Sequence, residues 1–226
     1  MELNKLIDHT KLGPTVTQTE IDQLIDEAIK YQFKAVCVSP VWVKYAKEKV
    51  EGSDVLVCTV VGFPHGTQLT KVKAFETKEA IKDGADEIDM VIHVADVLEK
   101  NRSAILKDVK AVVKAAAGRT VKVIVETAFL DKKQIEYVTK IVLAAKADFI
   151  KTSTGYASRG ANLDDIKIMK KVAGDQLLIK ASGGVKTYED AIEMIEAGAS
   201  RIGTSRGVSL INKEKSNVNT TYWIKR

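Results

Sequence analysis

The chain has 226 residues, 45% of them hydrophobic and 29% charged, with a formal net charge of +5 at pH 7. This length and composition fit one domain with a large core. No run approaches the roughly 18 uninterrupted apolar residues of a membrane span, so we expect a cytoplasmic protein without a membrane partner. The basic residues alternate with acidic ones and form no long run with interleaved aromatics, which argues against nucleic acid and suits a small anionic substrate.

The first half of the chain alternates apolar runs with amphipathic segments. Thr17 to Glu20 reads as a capping box that begins the first helix, and a later helix spans about residues 69–82. The helix after the fourth run is expected to continue to Gly118. Strand-like apolar runs in this half cover residues 6–10, 35–39, 56–63 and 87–92.

The second half continues the same alternation, with Asn162 and Thr187 as helix caps. Its strand-like runs cover residues 121–125, 149–151, 178–182 and 201–205. Eight hydrophobic strands that alternate with helices predict a single (β/α)8 TIM-type barrel over residues 1–211, followed by a polar tail over residues 212–226. A doubly wound open sheet is the alternative, but it leaves the even spacing of the eight units unexplained.

Two lysines stand inside apolar runs one strand-helix unit apart, in Phe149-Ile150-Lys151 and Leu178-Ile179-Lys180. A lone lysine at such a place is usually structural, with its ammonium group extended into water. On neighbouring parallel strands, however, the two would lie roughly 5 Å apart, and each ammonium group would favour loss of a proton from the other. A neutral lysine amine is a nucleophile toward carbonyl groups.

Acidic residues at strand positions are candidates for proton transfer. Asp89 is expected to point into the barrel if Ile88 and Met90 point outward to the helices. Next to two lysines it would form a structural ion pair or shuttle protons during catalysis. Asp8 on the first strand is a weaker candidate, and Glu126, at the end of its strand, has no role that the sequence assigns.

Glycine-rich turns follow the last two predicted strands. Loops at this place in a TIM barrel commonly bind phosphate, through backbone N–H groups, hydroxyl donors and helix N-termini. Each turn alone would be an ordinary structural glycine turn, but the pair favours phosphate. The candidate phosphate-binding residues are Gly155, Ser182, Gly183, Gly184, Gly203, Thr204 and Ser205.

The cysteines and histidines indicate no metal chemistry. Cys37 and Cys58 lie in apolar strand runs, so we expect two buried, reduced thiols. His9, His65 and His93 lack the spacing of metal ligands, and we expect no transition-metal site. His65 and His93 are expected to be surface residues near the loops.

Seven motifs, one on each of seven predicted strands, resemble those of the deoxyribose-phosphate aldolase family: LIDHT (6–10), AVCVSP (35–40), VVGFPHG (60–66), EIDMVI (87–92), FIKTSTG (149–155), IKASGGV (179–185) and RIGTS (201–205). The resemblance covers about residues 3–210. It implies a class I aldolase without metal or cofactor that interconverts 2-deoxy-D-ribose 5-phosphate with D-glyceraldehyde 3-phosphate and acetaldehyde. It further implies that Lys151 forms a Schiff base, that Lys180 and Asp89 transfer protons, and that the protein is a homodimer or homotetramer.

Two features depart from the family pattern. Tyr156 stands where some members have a lysine that assists phosphate binding, with Arg159 as a possible substitute. The tail, which contains Tyr222, resembles no tail of the family. Two other functions remain open from the residues themselves: a phosphosugar isomerase or synthase that uses Asp89 as a base with no covalent intermediate, and a non-catalytic phosphate-binding module.

Overall fold

The computed structural model describes residues 2–213, and within them eight parallel strands close into a barrel. Each strand is hydrogen-bonded to the next in chain order, and the last pairs with the first. An open sheet would lack this last pairing, so the (β/α)8 prediction is confirmed. The strands are β1 Ile7–Lys11, β2 Ala35–Val38, β3 Leu56–Val61, β4 Glu87–Val91, β5 Thr120–Ile124, β6 Phe149–Lys151, β7 Leu178–Ser182 and β8 Arg201–Thr204.

Helices follow the strands and cover the outside of the barrel. Three short 3-10 helices, Leu3–Leu6, Pro40–Trp42 and Thr127–Phe129, precede or join them. None of the helices within residues 2–213 is long and apolar enough to cross a lipid bilayer. The α-helices are α1 Gln18–Tyr31, α2 Val43–Lys49, α3 Thr70–Lys82, α4 Val94–Leu98, α5 Arg102–Ala115, α6 Lys132–Ala144, α7 Leu163–Ala173, α8 Tyr188–Glu196 and α9, residues 207–213.

Side-chain caps begin the helices where the sequence predicts them. Thr17 accepts a hydrogen bond from the Glu20 N–H at 3.4 Å, and the Glu20 carboxylate accepts one from the Thr17 N–H at 2.9 Å. This capping box satisfies two N–H groups that the first turn of α1 leaves without a partner. Thr187 forms a second capping box at α8, and Asn162 caps α7 by accepting a hydrogen bond from the Asp165 N–H.

Two predicted boundaries differ from the structure. The segment after β4 contains two helices, α4 and α5, because Asn101 interrupts the helical pattern and caps α5 through a bond from the Ala104 N–H. The predicted tail begins at residue 212, whereas α9 continues through residue 213, one helical turn beyond buried Leu210. The remainder of the predicted tail, including Tyr222, lies outside the described residues.

The barrel separates an apolar layer from a charged interior. Ile88 and Met90 on β4 are fully buried in the large cluster between strands and helices, whereas Glu87 and Asp89 alternate with them and face the interior. A small apolar cluster that includes Cys37 and Cys58 occupies the β2–β3 side. The alternation along β4 therefore places carboxylates inside the barrel, where parallel strands ordinarily bury hydrocarbon.

Candidate active site

Lys151, Lys180 and Asp89 meet at one point inside the barrel. Lys151 ends β6 and is the Cα partner of Lys180 on β7, as the repeated motif predicts. Both ammonium groups donate to the same carboxylate oxygen: Oδ2 of Asp89 lies 2.7 Å from Lys151 Nζ and 2.8 Å from Lys180 Nζ. Asp89 and Lys180 are fully buried, and Lys151 is 4% exposed. The sequence therefore predicted all three members of this cluster.

Lys122 is a third buried lysine on the same carboxylate. It lies on β5 as the Cα partner of Asp89, and its Nζ is 2.8 Å from Asp89 Oδ1. The same Nζ is 2.6 Å from Glu87 Oε2, one residue pair deeper in the barrel. Asp89 thus receives an ammonium group on each of its two oxygens.

Asp8 and Arg201 complete the network across the seam between the first and last strands. Asp8 Oδ2 lies 2.5 Å from Lys180 Nζ, and Asp8 Oδ1 lies 2.7 Å from an Nη of Arg201. Arg201 also contacts Glu87 at 3.0 Å. The weaker sequence candidate, Asp8, therefore pairs directly with one of the two predicted lysines.

The charges of this network do not cancel when every group is ionised. Among residues 2–213 it contains four cations and three carboxylates, so one cation is in excess. Of the four cations, Lys151 lines a cavity at the carboxyl ends of the strands, while the others lie deeper. The members of the network are Asp8, Glu87, Asp89, Lys122, Lys151, Lys180 and Arg201.

The interior charges fix the protonation of Asp89 and Lys180. Burial alone would raise the pKa of Asp89, but Lys122, Lys151 and Lys180 outweigh it and hold that pKa well below its usual range. Burial would lower the pKa of Lys180, but Asp8 and Asp89 outweigh it and raise that pKa above the usual range. Asp89 is therefore a carboxylate, and Lys180 an ammonium group, across the neutral pH range.

Cys58 also belongs to this interior. Its Sγ lies 3.1 Å from Asp89 Oδ1 and 3.3 Å from Lys122 Nζ. Burial, together with the neighbouring Cys37 and Asp89, raises the pKa of Cys58 well above its ordinary value. Cys58 is thus a neutral thiol that donates to Asp89, and both cysteines are free and buried, as the sequence predicts.

The cavity above Lys151 has a volume of about 530 Å³. Among the residues that line it are all seven predicted phosphate-binding positions: Gly155, Ser182, Gly183, Gly184, Gly203, Thr204 and Ser205. The structure therefore brings the glycine turns and the candidate nucleophile to one cavity. His65 and His93 are exposed and do not line it.

The hydroxyl groups of Ser182 and Thr204 do not point into the cavity as donors, as the sequence suggested; they donate to backbone carbonyl groups. Ser182 donates to the Ser153 carbonyl at 2.6 Å, and Thr204 donates to the Val185 carbonyl at 3.0 Å. Their protons are used inside the turns, so they do not serve as the hydroxyl donors that the sequence suggested. Side chains that extend the lining at the ends of the turns are Lys186 and Arg206, which are exposed cations.

The two turns require glycine for different reasons. Gly183 has a φ of +76° and Gly184 a φ of +79°, which L-residues adopt at a cost. At Gly203 the reason is space, since a Cβ there would lie 3.0 Å from Cε of Lys180. Gly203 thus leaves room for the lysine stem as well as lining the cavity.

Glu126, which the sequence left without a role, holds the loop after Lys151. It lies two residues after the end of β5 in a left-handed conformation, with a φ of +51°, and is 4% exposed. Its carboxylate accepts hydrogen bonds from the Thr154 N–H at 3.2 Å and from the Thr154 hydroxyl. The strained backbone at Glu126 therefore fixes Thr154, which lines the cavity.

Arg159 does not line the cavity at the two glycine turns. Its guanidinium group donates to Asp165 at 2.6 Å and to the Thr127 carbonyl at 2.8 Å. The suggestion that Arg159 substitutes for a phosphate-binding lysine is therefore wrong, because its donors tie the loop to α7.

Charged residues of the site that sequence reasoning missed include Lys122, Arg201, Lys186 and Arg206. The first two are single charges at the middle or start of a strand, and only the barrel register shows what they face. The last two had a readable signal, because each glycine turn ends in a basic residue, in Gly-Gly-Val-Lys and Gly-Thr-Ser-Arg.

Comparisons with known proteins agree with this geometry. A family model described as "DeoC/LacD family aldolase" matches residues 3–212. The chain is 67% identical over 222 residues to a curated deoxyribose-phosphate aldolase of Acholeplasma laidlawii, which covers 98% of this chain and 100% of that protein. It is 54% identical to the deoxyribose-phosphate aldolase of Metamycoplasma arthritidis, over 93% of this chain and 97% of that one.

Solved structures show the same likeness. A putative deoxyribose-phosphate aldolase from Coccidioides immitis superimposes with a TM-score of 0.93 at 38% identity, covering 95% of this chain and 86% of that chain. The deoxyribose phosphate aldolase from Aeropyrum pernix, described as a unique tetrameric structure, gives a TM-score of 0.88 at 33% identity, with coverages of 95% and 91%.

We expect Lys122→Met to lower the free energy of unfolding by about 3–5 kcal/mol, because it leaves Glu87 and Asp89 as buried carboxylates with one cation fewer. Urea denaturation measures the change. Lys132→Met is the matched control, since Lys132 pairs with Asp164 on the surface with both side chains largely exposed, and its removal should have little effect. Equal midpoints for the two variants would contradict a net-stabilising role of Lys122.

Proposed function

Because the chain belongs to the DeoC/LacD family of aldolases, we propose that it reversibly cleaves 2-deoxy-D-ribose 5-phosphate to D-glyceraldehyde 3-phosphate and acetaldehyde through a Schiff base on Lys151. Curated relatives that are 54–67% identical carry the name deoxyribose-phosphate aldolase, which supports this substrate. The family assignment supports the aldolase and not the isomerase or synthase alternative, nor the non-catalytic binding module.

One observation supports the proposal most directly: an amine at the cavity floor contacts a carboxylate that a second lysine shares. Lys151 lines the cavity, where a substrate carbonyl can reach its Nζ, whereas Lys180 lies deeper and is fully buried. Lys151 is therefore the nucleophile that the site supports.

The reaction follows from a lysine at this position. Lys151 Nζ adds to C1 of the open-chain sugar, and loss of water gives a protonated imine. A base removes the C3 hydroxyl proton, the C2–C3 bond breaks, and its electron pair moves into the imine to form an enamine. Glyceraldehyde 3-phosphate leaves, C2 of the enamine takes a proton, and hydrolysis releases acetaldehyde. The imine is the electron sink, so the mechanism needs no metal or cofactor.

Lys180 and Asp89 are the proposed proton-transfer pair. Their hydrogen bond of 2.8 Å joins an ammonium group to a carboxylate, and Asp89 reaches Lys151 through the same oxygen. A proton that moves along this path passes only between groups that are already hydrogen-bonded to each other. Asp8, paired with Lys180 from the other side, holds that lysine in place.

The phosphate end of the substrate is proposed to bind at the two glycine turns. Gly183 and Gly184 let backbone N–H groups approach an anion closely, and α8 and α9 begin just after the turns with their positive dipole ends. Lys186 and Arg206 add two cations to the lining. The remaining proposed contacts in this cavity are Gly155, Ser182, Gly203, Thr204 and Ser205.

We also propose a cytoplasmic location. The thiols of Cys37 and Cys58 are both free, and they lie on Cα partners of adjacent strands. A close pair of free cysteines suits a reducing compartment, because oxidising compartments favour disulfides.

Self-association as a homodimer or homotetramer is proposed on two grounds. The structure of the Aeropyrum pernix relative is described as tetrameric. In this chain, α3 and its first flanking residue expose three apolar side chains at intervals of three residues: Leu69 at 65%, Val72 at 43% and Phe75 at 64%. A contiguous apolar stripe of this kind on a surface helix marks an interaction site.

Borohydride reduction in the presence of acetaldehyde tests the Schiff base. We expect peptide mapping by mass spectrometry to find an ethyl group on Lys151, because the imine forms there and reduction makes it permanent. The adduct should be absent without acetaldehyde, lost in Lys151→Ala, and retained in Lys170→Ala, which removes a surface lysine paired with Asp175. A folded sample without any lysine adduct would contradict the Schiff-base mechanism.

Arg206→Ala tests the phosphate end. We expect KM for 2-deoxyribose 5-phosphate to rise about tenfold with kcat nearly unchanged, as for loss of one charged hydrogen bond to a non-reacting group. Cleavage of unphosphorylated 2-deoxyribose should not change. Arg119→Ala, at the opposite end of the barrel, is the control. An equal loss of kcat/KM for both substrates would show that Arg206 does not act through the phosphate group.

Light scattering of Phe75→Glu tests the association surface. A charge within the α3 stripe should lower the mass in solution toward that of one chain, because association would bury the carboxylate without a partner. Phe129→Glu changes another exposed aromatic residue, 58% exposed, and should leave the mass unchanged. A Phe75→Glu protein with the wild-type mass would remove α3 from the interface.

A further inference from the structure

A buried histidine behind the glycine turn after β8 takes part in no step of the proposed reaction. His9 lies on β1, is 2% exposed and is the Cα partner of Thr204 on β8. Because Asp8 points into the barrel, the next side chain, His9, points outward to the helices. Its ring packs against Phe33, with ring centroids 5.0 Å apart. His9 therefore belongs to the layer between the strands and the helices.

The two ring nitrogens of His9 have different surroundings. Nε2 lies 2.7 Å from Oε2 of Glu27 on α1. Burial lowers the pKa of His9 more than Glu27 raises it. Burial would raise the pKa of Glu27, but hydrogen bonds from His9 and Gln23 outweigh it and lower that pKa. At neutral pH a neutral imidazole therefore donates from Nε2 to a carboxylate. Nδ1 is then an acceptor, and it has no hydrogen-bond partner among residues 2–213.

Gly207, the first residue of α9, packs directly on this ring. A Cβ at Gly207 would lie 3.0 Å from Nδ1 of His9 and 2.9 Å from Cζ of Phe33, so only glycine lets the backbone approach this closely. On the other side of the turn, the Thr204 hydroxyl accepts a hydrogen bond from the Arg206 N–H at 3.0 Å. The segment that carries Arg206 is thus held between Thr204 and the imidazole.

A cavity of about 460 Å³ is lined by both His9 and Glu27. We call it the side cavity. Ser205 and Arg206 line this cavity and the catalytic one, so they face the proposed phosphate site on one side and the His9–Glu27 pair on the other. A shift of the imidazole would therefore move the turn that carries Arg206.

Filling the space beneath the turn does not require a histidine. A leucine there would bury only hydrocarbon, whereas the imidazole leaves Nδ1 without a protein partner, which costs free energy. What the histidine adds is the hydrogen bond to Glu27, and this bond fixes the ring in one orientation. A fixed ring matters where another group rests on it, and that group is the backbone at Gly207.

We propose that His9, oriented by Glu27, is a positioning residue that places Arg206 for the phosphate group of the substrate. This proposal rests on the proposed function, which assigns the turn after β8 to that phosphate. His9 does not line the catalytic cavity, and it acts through the backbone at Gly207. Its loss should therefore weaken binding of the phosphate without changing the chemical step at Lys151.

Calorimetric titration with inorganic phosphate and steady-state kinetics test this role. His9→Leu should raise Kd for phosphate and KM for 2-deoxyribose 5-phosphate about fivefold, the factor that corresponds to one hydrogen bond, with kcat nearly unchanged. Cleavage of unphosphorylated 2-deoxyribose should not change. His9→Gln should stay within about twofold of the wild type, because its amide can donate to Glu27. Thr139→Val, which removes a buried hydrogen bond on α6, is the matched control and should change neither constant.

Glu27→Ala separates positioning from charge alone, and the fold should tolerate it because the Glu27 side chain is 29% exposed. Removal of a carboxylate from the cavity that Arg206 also lines would strengthen anion binding if only charge mattered. Loss of the partner that orients His9 should instead raise Kd for phosphate about threefold. Tighter phosphate binding in Glu27→Ala would overturn the proposal. Circular dichroism establishes that each variant keeps the wild-type fold.

A double variant tests whether His9 acts through Arg206. The combination of His9→Leu with Arg206→Ala should raise KM about tenfold, as Arg206→Ala does alone, because no guanidinium group is left to position. A rise near the product of the single effects, about fiftyfold, would show that the two residues act independently. That result would overturn the positioning role.

The outcomes separate this role from the proposed function. Turnover of 2-deoxyribose 5-phosphate with the same KM in the wild type and in His9→Leu overturns the role of His9 alone. Equal losses of kcat/KM on the phosphorylated and unphosphorylated sugars do so as well. A wild-type protein that binds inorganic phosphate without turnover of 2-deoxyribose 5-phosphate overturns the proposed substrate, and weaker phosphate binding in His9→Leu then still supports the positioning role. Neither binding nor turnover overturns both.

Discussion

The carboxylate of Asp89 accepts hydrogen bonds from three buried lysines. The other charged side chains of the barrel interior make this cluster stable. Lys122 occupies one oxygen, and Lys151 and Lys180 share the other. Three lysines around one acid would be prohibitive in an apolar core. Asp8 and Glu87 offset two of these positive charges, and the barrel wall buries the ion pairs. The reactivity of one amine is thus a property of seven coupled side chains.

Local pattern in the sequence predicts the elements of the fold and part of the site. Hydrophobic periodicity marks the strands and helices, and the repeated lysine motif places Lys151 beside Lys180, because adjacent parallel strands align equivalent positions. The features that the sequence does not reveal depend on register and closure. Lys122 resembles any lysine in a strand until it is known to be the Cα partner of Asp89, and the role of Glu126 appears only where Thr154 meets it. The direction of the Ser182 and Thr204 hydroxyl protons is likewise set by carbonyl groups of other turns.

The two sides of the barrel mouth are lined by chemically different residues. The loops after β7 and β8 combine glycine, helix N-termini and two cations, whereas the loops after β1 to β3 supply hydrocarbon. Lys151 on β6 lines the cavity on the first of these sides, and Tyr156, from the loop after its own strand, faces both sides. Substitutions in one half can therefore change what the enzyme binds without touching the charges beneath, since those belong to the strands and not to the loops.

The pairing of Asp8 with Lys180 and Arg201 has a consequence for how the protein is made. These side chains are separated by 172 and 193 residues along the chain, so Asp8 meets these two cations only when the last two strands have been synthesised. Until then β1 is paired with β2 alone, and Asp8 has only Lys122, at 3.7 Å, as a cation nearby. Closure of the seam is the event that completes the fold, and the same event turns a chain with scattered lysines into one with a single reactive amine.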